Sequence, residues 1–129
     1  MAIKKTEGFS SYPGLGPGLR IAPKTVQSRA FIAGSGTLAP LTAVGMVTAT
    51  GIYRAYAHAA TDGSQIIRGF VYTEAVVLDA TDEVLGNIML EGKAHFDDVV
   101  LGGAATVAQF KAALRAAHGF GLIVEGIGI

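Results

Sequence analysis

From Gly36 onward the apolar residues fall into short, β-branched runs separated by Gly, Asp and Thr, with one stretch near the end that changes to a helical period. Leu41–Ala49 reads as a strand, with Gly45 marking a bulge or a close backbone approach. Ile52–His58 and Gln65–Tyr72 read as two strands of a hairpin, turned at Asp62-Gly63, a pair suited to positive φ. Glu74–Leu78 extends the sheet up to the polar break at 79–83. Val84–Leu90 and Lys93–Phe96 then predict a further hairpin around Glu91-Gly92. Thr106 and Gln109 have the spacing of a capping box, in which hydroxyl and amide reciprocally satisfy backbone N–H groups. Val107, Phe110, Leu114 and Ala117 follow at helical spacing, so a helix is expected from about Val107 to His118, with Gly119 as its left-handed cap. Leu122–Ile129 closes the chain as a strand.

The first part of the chain has a different pattern. All four prolines (Pro13, Pro17, Pro23 and Pro40) lie in the first forty residues, together with Gly8, Gly14, Gly16, Gly18, Gly34 and Gly36. Proline removes a backbone donor and glycine is entropically costly to order, so residues 1–35 are expected to form an extended arm rather than a packed unit. Ile3, Phe9, Tyr12, Leu15 and Ile21 are too apolar for a solvated spacer and are the candidate partner-binding residues of that arm. The expected fold is therefore mainly β: a small clip-like or barrel-like domain over residues 36–129, with one α-helix near the C-terminus and an extended N-terminal arm.

Charge follows the same division. Residues 1–40 carry five basic side chains and one acidic, a balance of +4, whereas residues 41–129 carry five basic and nine acidic, a balance of −4. The whole chain of 129 residues is neutral and only 16% charged, against roughly 25% in an average soluble domain. Self-repulsion then contributes little to solubility, and a chain of 50% hydrophobic content is expected to cover apolar surface in an assembly. There is no basic excess to suggest nucleic acid as a partner. No apolar run approaches the roughly 20 residues of a membrane helix, and Met1-Ala-Ile-Lys-Lys leads into no apolar signal core, so a cytosolic site of synthesis and no membrane partner are expected. Absence of cysteine rules out disulfides and thiolate metal sites.

Candidate chemistry is thin. His95 and Asp97 share a strand face, but a metal site needs further converging ligands, and His58 and His118 have no paired spacing. Asp79, Asp82 and Glu83 lack the alternating oxygen ligands of a calcium loop and read as a polar turn. Gly14-Leu-Gly-Pro-Gly18 and Gly34-Ser-Gly36 lack the Lys-Ser/Thr and helix of a phosphate loop. No serine sits in a nucleophile elbow. No catalytic residue, metal ligand or cofactor is therefore assigned.

The order of features nevertheless has a counterpart. A Gly/Pro-rich arm precedes Leu38-Ala-Pro-Leu41, the Ala59-Ala-Thr-Asp-Gly-Ser64 turn and Gly69-Phe-Val-Tyr72. Glu91-Gly-Lys93, Phe96-Asp-Asp-Val99, a single helix and a short final strand follow. Over roughly residues 36–129 this succession resembles the lambda-type bacteriophage head decoration proteins. The resemblance implies a clip-like β fold and homotrimers on the outside of the expanded icosahedral head. There, over local three-fold positions, such trimers cement the major capsid protein against the pressure of packaged DNA. It also implies an arm that orders by strand pairing on the shell, although the stretch from Pro13 to Arg20 has no clear counterpart. Localisation would then be the exterior of the virion, after assembly in the host cytoplasm.

Two other readings share the scaffold. A fibre base or adhesion module would use the same low-charge β domain without discriminating expanded from unexpanded shells. A trimeric dUTPase is echoed by His118-Gly-Phe-Gly121. However, Leu122-Ile-Val124 follows in place of hydroxyl residues, and that enzyme's aspartate–tyrosine motif is missing.

Overall fold

The computed structural model describes residues 21–72, 74–100 and 106–127. Eight strands and one helix follow in chain order: β1 (Ile21–Phe31), β2 (Thr37–Leu38), β3 (Ala43–Met46), β4 (Tyr53–Ala55), β5 (Gly69–Val71), β6 (Val76–Val77), β7 (Val84–His95), α1 (Val107–Ala117) and β8 (Leu122–Glu125). A 3-10 turn over His118–Phe120 links α1 to β8. The fold is mainly β with one C-terminal helix.

Five strands close on themselves. The main sheet runs β1-β4-β3-β5-β7-β8, and β1 also pairs with β7, so β1, β4, β3, β5 and β7 form a small barrel. The long antiparallel β1–β7 ladder is its backbone, from Ile21↔Ala94 to Phe31↔Val84. Closure between β1 and β4 is narrow: a parallel bridge at Phe31↔Tyr53 and one bond from Ile32 N–H to the Tyr53 carbonyl at 2.9 Å. β8 lies parallel to the last residues of β7, Gly92↔Leu122 to His95↔Glu125, after the crossover through α1.

Neighbouring residues on the strands face two separate cores, as the two-residue period of a strand requires. Phe31, Val44, Tyr53, Val71 and Ile88, one from each barrel strand, form the inner cluster. Ala43, Phe70 and Met89 point the other way, into an outer cluster with Phe110, Leu114 and Ala117 of α1 and Leu122 and Val124 of β8. The small β2–β6 sheet contributes Val76, with Leu38 packed beside it, to the inner cluster.

The ladder slips between Pro23 and Val26 of β1, opposite Glu91 and Gly92. This bulge changes the parity of both strands, so Ile21 and Ala94 join Met89 in the outer cluster while Phe31 lies inside. Gly92 sits there at φ 144°, and a Cβ on it would lie 2.6 Å from the Ala22 carbonyl oxygen.

Several expectations are corrected. Glu91-Gly92 is a bulge within the continuous β7, not a hairpin turn. Both features demand an unusual glycine backbone, and only the partner strand distinguishes them. β4 and β5 do not form a hairpin either, because β3 lies between them and pairs with both. The connection around Asp62-Gly63 instead packs on β3. A Cβ on Gly45 would approach the Ser64 Cα and the Ile66 carbonyl to 2.7 Å, which is the close approach the sequence suggests. Gly63 does adopt positive φ, 111°. The expected strand at Leu41–Ala49 is trimmed to β3, since Leu41 itself adopts φ 64°, held by a 2.6 Å bond to the Val71 carbonyl.

The arm boundary also moves. Residues 21–31 are β1, fully integrated in the barrel, so the ordered domain begins before residue 36. The helix has its capping box at Thr106 and Gln109. Its left-handed terminus falls at Gly121, φ 88°, after the 3-10 turn rather than at Gly119. Phe110, Leu114 and Ala117 are buried, whereas Val107, at the first turn, is 60% exposed and does not join the stripe in the core.

Candidate docking surface

Of the arm residues singled out from the sequence, Ile3, Phe9, Tyr12 and Leu15 lie outside the described residues. Ile21 is fully buried in the outer core, packed with the elements that α1 covers. Its apolar character is accounted for by the fold of its own chain, so as a partner contact it is corrected: the side chain has no free surface to offer.

The inner cluster is covered on the side of β2 and β6, while a cleft of about 410 Å³ opens beside β1. Thr25 and Arg29 of β1, Met46 of β3, Tyr53 of β4, Arg68, Leu90 and Glu91 of β7, and Phe120 line it. The bulge brings Thr25 opposite Glu91, and its hydroxyl donates to the Glu91 Oε1 at 2.7 Å. The Arg68 guanidinium lies 4.5 Å from the centre of the Phe120 ring, a cation–π contact. Arg29 donates from Nη1 to the Ser28 carbonyl at 3.1 Å and from Nη2 to the Gln27 Oε1. Two guanidiniums thus border an apolar floor of Met46, Tyr53 and Leu90, with one carboxylate already engaged by a hydroxyl.

A second feature is apolar. On the outer face of the β1–β7 ladder, beyond the reach of α1, Leu85 is 76% exposed opposite Ala30, and Val26 is exposed further along the same strand face. Val77 of β6 is 66% exposed. Such side chains are favoured by a partner that removes them from water, at about 25 cal/mol per Å² of apolar area covered.

The remaining polar groups are explained locally. Ser64 donates to Asp62 Oδ1 from its hydroxyl at 2.6 Å and its N–H at 2.9 Å. These bonds hold the Asp62 carboxyl below its ordinary pKa, with Arg54, 3.3 Å away, adding to the effect. Asp79 is lowered by the N–H and hydroxyl of Thr81 in the polar turn expected there. Burial raises the Tyr56 pKa, and its hydroxyl meets His58 Nδ1 at 3.2 Å. His95 Nδ1 accepts from the Asp97 N–H at 3.2 Å and lies 3.7 Å from its carboxylate. No group of three or more His, Asp or Glu side chains converges among the described residues. Among them, too, no helix is long and apolar enough to cross a membrane.

Sequence reasoning missed Arg29, Arg68, Glu91 and Phe120 as neighbours. They come from four separate segments, and no local spacing joins them. The one legible trace was Glu91-Gly92, singled out as a turn but placed by the fold at the bulge beside the cleft. No family model matches the chain, and no curated protein is significantly similar to it in sequence.

Proposed function

We propose that this protein is a non-enzymatic capsid decoration protein. In this reading it binds as homotrimers over the local three-fold positions of an expanded bacteriophage head and cements the major capsid protein from outside. The observation that carries the reading is apolar surface left uncovered on a neutral, charge-poor β domain, above all Leu85 and Val26 on the outer face of the β1–β7 ladder. A module of this kind gains from neighbours that cover those side chains. The succession of turns, single helix and final strand that resembles the lambda-type decoration proteins supplies the specific partner. Avidity suits the role: three weak contacts made by one trimer combine into a strong attachment.

The test is co-sedimentation of the purified protein with expanded and unexpanded heads of its parent phage, scored for copies bound. Saturable binding to expanded heads alone, at three copies per three-fold site, is the expected result. Binding to neither form overturns the proposal and favours a fibre or adhesion module.

A further inference from the structure

The barrel closes through a single bridge, and this leaves most of one edge of β1 without a partner strand among the described residues. The direction of its backbone groups follows from three bonds. The Tyr72 N–H donates to the Asn87 carbonyl at 2.9 Å, so Asn87 points toward β5 and away from β1. Its ladder partner Ser28 is then a non-hydrogen-bonded position, with N–H and C=O directed away from β7. Ile32, four residues on and of the same parity, donates across that outer edge to Tyr53. Finally, the Ser28 carbonyl is reached by the Arg29 guanidinium from outside the ladder. Val26, Ser28 and Ala30 therefore present their donors and acceptors along one open edge, beside the cleft.

We propose that this edge is a strand-addition site. Its occupant is an extended segment of the shell protein in which acidic and apolar side chains alternate. The inference rests on the decoration reading for the source of the strand, but it concerns the folded domain rather than residues 1–20. Backbone pairing to Val26, Ser28 and Ala30 sets the register. Arg29 and Arg68 attract carboxylates on the cleft face of the added strand, and Val26 and Leu85 on the opposite face of the ladder offer apolar contact to the alternate side chains. In the unbound chain Arg29 lies along the edge, bonded to Ser28 and Gln27, and so hinders indiscriminate pairing as edge charges commonly do. An incoming carboxylate draws the guanidinium off the Ser28 carbonyl and frees it for the ladder.

Ser28→Pro tests this directly. The Ser28 N–H points away from β7, so proline there removes no bond of the β1–β7 ladder but deletes the central donor of the open edge. Ser28→Ala keeps the backbone and serves as control. Circular dichroism and thermal melting establish that both variants fold like the parent. Ser28→Pro is expected to bind expanded heads at least about tenfold more weakly, a loss of roughly 1.4 kcal/mol, with Ser28→Ala unchanged. Arg68→Glu is expected to weaken binding as well and to reduce its salt dependence. Hydrogen exchange should show the Ser28 amide open in the free protein and protected on heads.

Parent-level binding by a folded Ser28→Pro overturns the strand-addition proposal while leaving the decoration reading standing. Failure of the unmodified protein to bind any head overturns both. A Ser28 amide already protected in the free protein shows the edge covered by the chain itself and removes the proposal. Loss of self-association in Ser28→Pro with head binding retained assigns the edge to a second copy, which also overturns it.

Discussion

The two faces of the barrel strands are finished in opposite ways. Outside, Ala43, Phe70 and Met89 are sealed under α1, β8 and the connection through Tyr56 and Ile67, and every one of these side chains is buried. Inside, Phe31, Val44, Tyr53, Val71 and Ile88 are as well buried, but their cluster gives way to a cleft edged by Arg29, Arg68 and Glu91. The outer face is thus closed where β3, β5 and the middle of β7 lie under their cover, away from the exposed Val26 and Leu85, and the inner one ends in an open, charged margin. Closed packing is where a small domain holds its stability, and an unfinished edge is where it has free valence for a partner. β1 belongs to both: its β7 side is laddered from end to end, while among the described residues its other side is bridged only at Phe31.

The strongest way to break the comparison is to remove β1. Deleting residues 1–34 takes away the strand that pairs with β7 along its length, together with Phe31 and Ile21 from the two cores. The expected outcome is loss of cooperative folding, read as the absence of a sigmoidal thermal transition. Deletion of residues 1–20 alone spares every described element, so a folded domain is expected, and its affinity for expanded heads then measures the arm separately from β1. A cooperative transition in the longer deletion would mean that the barrel does not depend on the β1–β7 ladder.

Phe110→Ala attacks the closed face alone. The ring lies 6.1 Å from that of Tyr56 and 6.2 Å from that of Phe96, joining α1 to two loops of the barrel. Removing it leaves a cavity that the surrounding elements fill only in part, at a cost of about 3–5 kcal/mol. Urea denaturation measures the loss. A change below about 1 kcal/mol would show that α1 is a detachable cover rather than part of the core.

How much of this contrast is written in the sequence depends on how local each signal is. The helix was legible because capping box and apolar stripe sit within a few turns of each other, and Thr106, Phe110 and Leu114 behave as their spacing implies. The Asp62-Gly63 turn was legible for the same reason. Strand partners were not, since apolar alternation states that a segment is a strand but not which strand lies beside it. β4 and β5 look like a hairpin until β3 is found between them. β1 was hidden by its own openness: Lys24, Gln27 and Ser28 are exposed, so the run carries no apolar alternation, and Pro23 reads as a breaker although it sits at a bulge. The charged margin of the cleft left still less trace, because Arg29, Arg68 and Glu91 meet only after closure.

A milder perturbation separates the seal over the outer face from its filling. Gly45 lies on β3 beside Ala43, and the connection carrying Ser64 and Ile66 passes directly over it, with no room for a methyl group. Gly45→Ala must push that backbone away, and overpacking of this kind costs about 1–3 kcal/mol. Gly36→Ala is the matched control: nothing lies within 4 Å of its Cβ, so only the positive φ of 93° opposes it. The ranking to be checked by thermal melting is Gly45→Ala below Gly36→Ala below the parent. Equal losses would mean that the connection gives way freely and does not seal the face.

The smallest effect concerns how the same connection is held by charge. Asp62 has a lowered pKa because Ser64 donates to it twice, with Arg54 a further contributor. A carboxyl whose folded pKa lies below its ordinary 3.8 contributes stability that is complete above that value and fades as pH falls through the lowered one. The parent's margin over Asp62→Asn is therefore expected to be constant near neutrality and to shrink once the pH drops below about 4. Asn retains an acceptor oxygen for Ser64, so the shrinking part reports the charge rather than the turn. Because the ion pair with Arg54 is partly exposed, at 41% and 34% for the two side chains, added salt should trim the margin only slightly. A margin that stays level from neutral pH into the acid range would mean that the turn is fixed by its hydrogen-bond geometry and by Gly63 alone. The Asp62 charge would then contribute nothing to the lid over the closed face, which backbone geometry would hold in place.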